Sequence, residues 1–174
     1  VLAPRSTADR APFVTPLSGT RALMALVANT FAGRLLDREM RARDIATVCT
    51  VPDGGLTQLL DLIGGERKMR LVTLTTEEEG IGIATGCWLG GGRAMIAMQS
   101  SGVGNCINAL GLPVAYRAPC LMLVTMRGQW GEFNPWQVPM GQATRPALEA
   151  VGVRCFPVDK AEEVGETFAA AADL

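Results

Sequence analysis

The sequence contains no histidine among its 174 residues. This absence excludes catalytic triads that use a histidine base, and it removes the commonest side-chain ligand of zinc. Lysine is also scarce, because it occurs only as Lys68 and Lys160. The net charge is −1 and no basic stripe stands out. We therefore expect no binding of nucleic acid.

Long apolar runs are missing as well. Each run is broken by glycine, arginine or proline well short of the roughly 20 residues that a membrane-spanning helix needs. The amino terminus lacks the apolar core of a secretory signal. The five cysteines are widely spaced and form no CxxC pair, which is typical of free thiols in a reducing compartment. We expect no membrane association and a cytoplasmic location.

The residues that are present favour one domain with a substantial core. The hydrophobic fraction is 48%, and the length suits a single domain. Residues 1–18 are Pro-rich and aperiodic, so they are predicted to be a flexible tail ahead of a domain at 19–174.

The fold is predicted to be α/β. Apolar residues at helical spacing predict a first helix from Thr20 to about Arg43, with a break at Gly33. Five short apolar runs then predict buried strands at 46–51, 70–75, 93–99, 120–126 and 154–158. Helix candidates lie between them, near 55–63, 77–90, 104–117, 143–151 and 161–173. This alternation predicts a single doubly wound, mainly parallel sheet flanked by helices.

Ligands bind such sheets at the carboxyl ends of the strands, so the loops there are the candidate site. They are VPDGG (51–55), TTEEEG (75–80), QSSGVGN (99–105) and RGQWGEFNPWQVPMG (127–141). In the first loop, Asp53 is a candidate N-cap. The third loop lacks the last small residue of a dinucleotide fingerprint, since that position is Ile107, and no Walker pattern follows.

The fourth loop shows no periodicity from Arg127 to about Gln142. It contains Trp130, Phe133 and Trp136, and large aromatics in a loop are typical of interface anchors. The alternative is a loop that folds back over its own core.

Three consecutive glutamates, Glu77, Glu78 and Glu79, precede a glycine-rich helix candidate. A capping box between Thr76 and Glu79, together with the helix dipole, is a structural explanation for all three acids. It does not explain the glycines at 82, 86 and 90. Since glycine weakens a helix, their spacing predicts that something packs very close to that helix face.

Three motifs occur in order: Val51-Pro52-Asp53, Glu77 followed by GIATG at 82–86, and SSGVGN at 100–105. Together they resemble the pyrimidine-binding domain of thiamine-diphosphate enzymes. Within that superfamily, residues 45–174 are most similar to alpha subunits of sulfopyruvate decarboxylases and to phosphonopyruvate decarboxylases.

This resemblance implies roles for particular residues. Glu77 is implied to be the catalytic acid that hydrogen-bonds N1′ of the cofactor's aminopyrimidine, with Glu78 in reserve if the register slips by one. Pro52 and Asn105 match positions that line the pyrimidine. Gln99 and Arg127 are candidate substrate contacts, and Gly54 stands where many relatives have Ser or Asp.

The chain also departs from the family pattern, because it has no Gly-Asp-Gly motif for magnesium and diphosphate. The resemblance therefore implies a beta-type partner chain that supplies the diphosphate-binding domain and Mg²⁺, with no metal ligands on this chain. It further implies a homo-oligomer and a small 2-oxo acid that is decarboxylated. Two alternatives stay open: a non-catalytic binding or regulatory module, and a subunit of an acetolactate-synthase-like carboligase.

Overall fold

The computed structural model describes residues 20–25, 30–129 and 131–174. The strands are β1 (Thr20–Ala25), β2 (Ile45–Thr50), β3 (Arg70–Thr73), β4 (Arg93–Gln99), β5 (Cys120–Thr125) and β6 (Arg154–Val158). The helices are α1 (Thr30–Ala42), α2 (Thr57–Gly64), α3 (Glu77–Leu89), α4 (Ser100–Cys106), α5 (Gly111–Tyr116), α6 (Gln137–Ala150) and α7 (Val164–Asp173). Short 3₁₀ turns at Gly54–Leu56 and Ala161–Glu163 precede α2 and α7. The tail predicted at 1–18 lies outside the described residues.

The six strands form one sheet in the order β3-β2-β4-β5-β1-β6. Every described pairing is parallel, which confirms the predicted α/β class. In the sheet, β3 lies on one side of β2, whereas β4 and then β5 lie on the other side. The strand order therefore reverses between β2 and β4, and such a reversal opens a crevice at the carboxyl ends of the two strands.

The predicted helix at Thr20 is wrong for its first six residues. Residues 20–25 form β1, which lies between β5 and β6, with Leu23 opposite both Leu123 and Phe156. Backbone pairing on both sides outweighs the helical spacing, and periodicity alone does not separate a short buried strand from a helix. The helix begins at Thr30 and runs through Gly33 without the predicted break.

Two further helix boundaries differ from prediction. The segment predicted as one helix at 104–117 is two helices, since α4 begins at Ser100 and a turn at 107–110 separates it from α5. Helix α6 begins at Gln137, inside the segment predicted to lack periodicity. The irregular part of that loop is therefore shorter than predicted.

The sheet is covered on both faces. Met95 and Ala97 of β4 point into one core, shared with α1, α2 and α7, whereas Ile96 and Met98 point into the other, beneath α3 to α6. Burial of both faces explains why the central strands β4 and β5 are continuous apolar runs in the sequence. No helix of the described segments is long and apolar enough to cross a membrane.

All five cysteines are free. Cys49, Cys106 and Cys120 are buried, and Cys87 and Cys155 are half-buried. Burial raises the pKa of Cys106 and of Cys120 to about 12. These thiols therefore behave as core residues rather than as nucleophiles.

Candidate active site

The predicted site residues lie along one edge of the sheet, because parallel strands end on the same side. Pro52 and Gly54 follow β2, and Glu77 follows β3. Gln99 ends β4, Asn105 lies in the helix after it, and Arg127 follows β5. The structure places all six at the carboxyl ends of the strands.

Glu77 is the first residue of α3 and is only 9% exposed. The Asn105 side-chain amide donates a hydrogen bond of 2.8 Å to Glu77 Oε2. Oε1 lies against Gly102, where a Cβ atom would overlap the carboxylate. Within the described residues no hydrogen bond reaches Oε1. One oxygen of a buried carboxylate is thus held in place, and the other has no hydrogen-bond partner among the described residues.

The other two glutamates are exposed, and the predicted capping box is wrong. Thr76 is the N-cap but its side chain makes no capping bond, because the Glu79 N–H donates instead to the Thr76 carbonyl, at 3.2 Å. The Glu79 carboxylate accepts a 2.8 Å bond from the Thr75 N–H, one residue further back. Glu79 thus stabilises the turn before α3. Of the three glutamates, Glu77 alone is buried.

Asp53 joins three strand ends, a role that the sequence did not reveal. It is the N-cap of the first 3₁₀ turn, as predicted, and accepts a 3.1 Å bond from the Gly55 N–H. It also accepts bonds from Gln99 Nε2 at 2.7 Å and from Thr125 Oγ1 at 3.0 Å. Gln99 and Thr125 are polar residues that end apolar strands, and that pattern was the available signal. Asp53 and Gln99 meet where the strand order reverses.

Both the oxygen and the nitrogen of the Gln99 side-chain amide form hydrogen bonds. Its Oε1 accepts bonds from Ser101 Oγ at 2.7 Å and from Gln137 Nε2 at 3.3 Å. Its Nε2 donates to Asp53 and keeps one N–H without a described partner. The side chain is therefore fixed in orientation before any ligand binds.

Arg127 is paired with Glu132, a residue that the sequence reasoning missed. Arg127 Nε and Nη2 donate bonds of 2.7 and 2.6 Å to the two Glu132 oxygens. Glu132 also accepts bonds from the Gly128 and Asn134 N–H groups, each at 3.0 Å. The Arg127 guanidinium and then these two N–H groups lower the pKa of Glu132 to about 2. Opposite charges five positions apart were the only available signal.

The aromatic side chains described in this loop face solvent. Phe133 is 81% and Trp136 is 71% exposed, and the Arg127 guanidinium lies 5.5 Å from the centre of the Phe133 ring. The alternative of a loop folded over its own core is therefore wrong for these two residues. Trp130 lies outside the described residues.

The glycine face of α3 also lacks a neighbour in the described part of the chain. A Cβ atom on Gly82 or Gly86 would meet nothing within 4 Å, whereas one on Gly80 would approach Leu74 and Ile96 at 3.0 and 3.1 Å. Gly80 is thus explained by packing against the sheet. The close contact predicted for Gly82 and Gly86 is not made by the described residues of this chain.

Comparison with known families identifies the protein family of this chain. Residues 31–135 match the family described as thiamine pyrophosphate enzyme, N-terminal TPP binding domain. The chain belongs to this family. The match includes Glu77, Asn105 and the strand ends that carry Asp53, Gln99 and Arg127.

Curated relatives of this family member are decarboxylases by name. The chain is 37% identical over 128 residues to the sulfopyruvate decarboxylase subunit alpha of Methanococcus maripaludis, covering 73% of this chain and 77% of that one. It is 36% identical over 132 residues to the same subunit from Methanothermobacter thermautotrophicus, covering 73% and 80%. A phosphonopyruvate decarboxylase of Streptomyces viridochromogenes is 34% identical over 129 residues, covering 72% of this chain but only 32% of that one.

The residues of this family member fit the pyrimidine part of the cofactor. A protonated ring nitrogen requires an acceptor, and Glu77 Oε1 is a buried carboxylate oxygen with no described partner. Because Gly102 has no side chain, the Glu77 carboxylate can lie against α4, in the space that a Cβ atom would fill. Within the described ranges, no group of three or more acidic or cysteine side chains is placed to hold a metal ion.

Proposed function

We propose that this chain is the pyrimidine-domain subunit of a thiamine-diphosphate-dependent 2-oxo-acid decarboxylase, a carbon–carbon lyase that releases an aldehyde and carbon dioxide. The observation that supports this most is the buried Glu77 carboxylate, bound by Asn105 on one oxygen and open on the other. Thiamine diphosphate, when bound, supplies the electron sink for loss of carbon dioxide.

Each site residue has a proposed task. Glu77 accepts the hydrogen bond of the aminopyrimidine through Oε1, in a setting where burial strengthens a charge-assisted bond. Asn105 orients that carboxylate. Pro52, which follows β2, lines the ring. Gly54 leaves room beside it, since a Cβ there would meet nothing within 4 Å.

The proposed substrate is a small 2-oxo acid with an anionic tail, sulfopyruvate or phosphonopyruvate. This follows from the names of the relatives and from two donors that keep free N–H groups. Arg127 bonds Glu132 through Nε and Nη2, so its Nη1 has no described partner. Gln99 keeps one N–H. Arginine suits sulfonate and phosphonate oxygens because it donates several parallel hydrogen bonds.

A second chain is proposed to complete the site. Three relatives are named alpha subunits, and the chain lacks the Gly-Asp-Gly motif. A beta-type partner is therefore proposed to hold the diphosphate and Mg²⁺, within a cytoplasmic oligomer. The exposed glycine face of α3 and the exposed Phe133 and Trp136 are surfaces that such an assembly would cover.

The test combines the chain with a beta-type chain that carries the Gly-Asp-Gly motif, thiamine diphosphate and Mg²⁺, and measures carbon dioxide released from sulfopyruvate and from phosphonopyruvate. We expect release that requires both chains. Glu77→Gln should remove it, whereas Glu78→Gln, an exposed neighbour, should not. Failure of the complete mixture to decarboxylate either acid would favour a non-catalytic module. Formation of a ligated product with little free aldehyde would favour a carboligase.

A further inference from the structure

Four polar side chains at the candidate active site form a group with more negative than positive charge. The group comprises Asp53, Gln99, Arg127 and Glu132, and we call it the Arg127 cluster. Asp53 accepts a hydrogen bond from Gln99, and Glu132 accepts two from Arg127. In the described part of the chain, Arg127 is the only cation that bonds a member of this cluster. One guanidinium group is therefore set against two carboxylates.

Glu132 occupies one edge of the Arg127 guanidinium and leaves another edge free. The Glu132 side chain is 6% exposed, and its two oxygens accept four hydrogen bonds, two from Arg127 and one each from the Gly128 and Asn134 N–H groups. Because Arg127 donates through Nε and Nη2, the edge formed by Nη1 and Nη2 keeps N–H groups without a described partner. The Arg127 side chain is 23% exposed, so it is not sealed from solvent.

The backbone of Arg127 is also fixed in place. Its N–H donates a 3.0 Å hydrogen bond to Oγ of Ser100, which is fully buried. Its carbonyl lies against Gly141 in α6, where an added Cβ atom would overlap it. The chain itself therefore sets the position of the guanidinium and the direction of its free edge.

Both carboxylates of the cluster act on this guanidinium. The hydrogen bond to Glu132, then the charge of Glu132 and that of Asp53, raise the pKa of Arg127. An anion at the free edge thus meets one positive charge that two carboxylates offset. A sulfonate carries a single negative charge, whereas a phosphonate, like a phosphate monoester, takes a second one near neutral pH. Both tails accept the same N–H groups, but the second negative charge is repelled by the carboxylates.

We propose that Glu132, together with Asp53, is a specificity-determining residue that favours a singly charged sulfonate tail over a doubly charged phosphonate tail. This inference rests on the proposed function and refines its substrate. Glu132 directs the free edge of Arg127 and at the same time offsets its charge. Asp53 adds to the repulsion of a second negative charge.

The test measures kcat/KM for sulfopyruvate and for phosphonopyruvate with the assembled enzyme, which contains both chains, thiamine diphosphate and Mg²⁺. Near about pH 8, where the phosphonate is doubly charged, the wild type should prefer sulfopyruvate. Glu132→Gln should move the ratio toward phosphonopyruvate by about fivefold or more, because one repelling charge is removed. Asp53→Asn, in a separate loop, should move the ratio in the same direction. A purely structural role would lower kcat/KM equally for both acids.

The shift in the ratio should also depend on pH. As the pH falls from about 8 to about 5.5, the phosphonate takes up its second proton and becomes singly charged like the sulfonate. Glu132 stays ionised over this range, since the Arg127 guanidinium and two backbone N–H groups lower its pKa to about 2. The difference in ratio between wild type and Glu132→Gln should therefore shrink toward acid pH.

Glu149→Gln is the matched control. Glu149 also pairs with an arginine, Arg145, at 2.7 Å, but it lies near the far end of α6. Its loss should leave the ratio unchanged. Should Glu132→Gln fail to fold, Asp53→Asn decides the question.

A binding measurement separates this inference from the proposed function. Calorimetry on the same assemblies gives the ratio of dissociation constants for the unreactive analogues 3-sulfopropionate and 3-phosphonopropionate. If the wild type decarboxylates neither acid, the proposed function fails and this binding ratio alone decides the inference. The inference is overturned by a wild-type preference for the phosphonate tail near about pH 8, by an unchanged ratio in the folded variants, or by an equal change in Glu149→Gln. It is also overturned by a wild type that neither decarboxylates sulfopyruvate nor binds 3-sulfopropionate saturably.

Discussion

Asn105, in α4, donates a 2.8 Å hydrogen bond to the carboxylate of Glu77, at the start of α3. The two residues are 28 positions apart, and β4 lies between them in the chain. The bond therefore fixes the two helices at the point where the candidate site is built.

Replacing Asn105 by alanine should destabilise the chain, because it leaves a buried carboxylate without its described donor. Hydrogen bonds to charged groups contribute about 1.5–3 kcal/mol, so the free energy of unfolding in urea should fall by about 1–3 kcal/mol. Asn108→Ala, in the exposed turn after α4, should change it by less than about 0.5 kcal/mol. Equal stabilities for the two variants would show that the bond contributes nothing. In the assembled enzyme, Asn105→Ala should also lower kcat, since the carboxylate is no longer oriented.

Gly102→Ala should displace the Glu77 carboxylate, because the added Cβ would overlap it. Overpacking of this kind costs about 1–3 kcal/mol, and decarboxylation by the assembled enzyme should fall with it. Gly104→Ala is the matched control in the same helix. Its Cβ would lie 3.5 Å from Met140 Sδ, an ordinary contact, so chemical denaturation should show a gain of up to about 1 kcal/mol. A Gly102→Ala chain as stable and as active as the wild type would contradict the overlap.

Gly82→Ala and Gly86→Ala should stabilise the free chain. Nothing lies within 4 Å of either added Cβ, and alanine is favoured over glycine in a helix by about 0.5–1 kcal/mol. Gly80→Ala should do the reverse, since its Cβ would press on Leu74 and Ile96. If a partner packs on this face, the two stabilising changes should also weaken assembly, measured as the concentration of partner needed for half-maximal activity. Stabilisation with unchanged assembly would place the partner elsewhere.

Acid should weaken the loop that follows β5. The Arg127 guanidinium and two backbone N–H groups lower the pKa of Glu132 from 4.5 to about 2. A lowered folded-state pKa stabilises the fold fully above the unfolded pKa, and this contribution is lost as the pH falls through the folded value. The difference in unfolding free energy between wild type and Glu132→Gln should therefore be constant above about pH 5 and shrink between about pH 4.5 and 2. Arg127→Gln, which removes the main cause, should flatten the profile in the same way, whereas a difference independent of pH would contradict this pairing.

The sequence predicted most of the sheet and the side of it on which the site lies. Five strands were visible as apolar runs. For the central strands β4 and β5 the reason is burial on both faces, which leaves uninterrupted runs such as Arg93–Gln99. Their parallel arrangement follows from the helices between them. Glu77 and Asn105 were identified by resemblance, and the structure brings them into contact. Their catalytic roles stay a prediction.

Two of the features that were not predicted, β1 as a strand and the contacts of Asp53, depend on distant partners. β1 is a strand only because β5 and β6 offer pairing on both sides. Asp53 bridges Gln99 and Thr125, which are 46 and 72 positions away. The Glu79 contact is local, but its carboxylate accepts the Thr75 N–H rather than the Thr76 N–H that a capping box requires. No local pattern in the sequence reports the contacts of β1 and Asp53.

The place of β1 has a consequence for the order of events during synthesis. It is the first described strand to leave the ribosome, yet both of its neighbours, β5 and β6, are among the last. Arg21 stands opposite Arg154 in the register, so nearly the whole domain must be translated before β1 can be enclosed. The strands β2, β3 and β4, by contrast, are available to pair with each other early. A ribosome-bound nascent chain that stops before Arg154 should therefore expose β1 on one side, as a strand edge open to a chaperone or to aggregation.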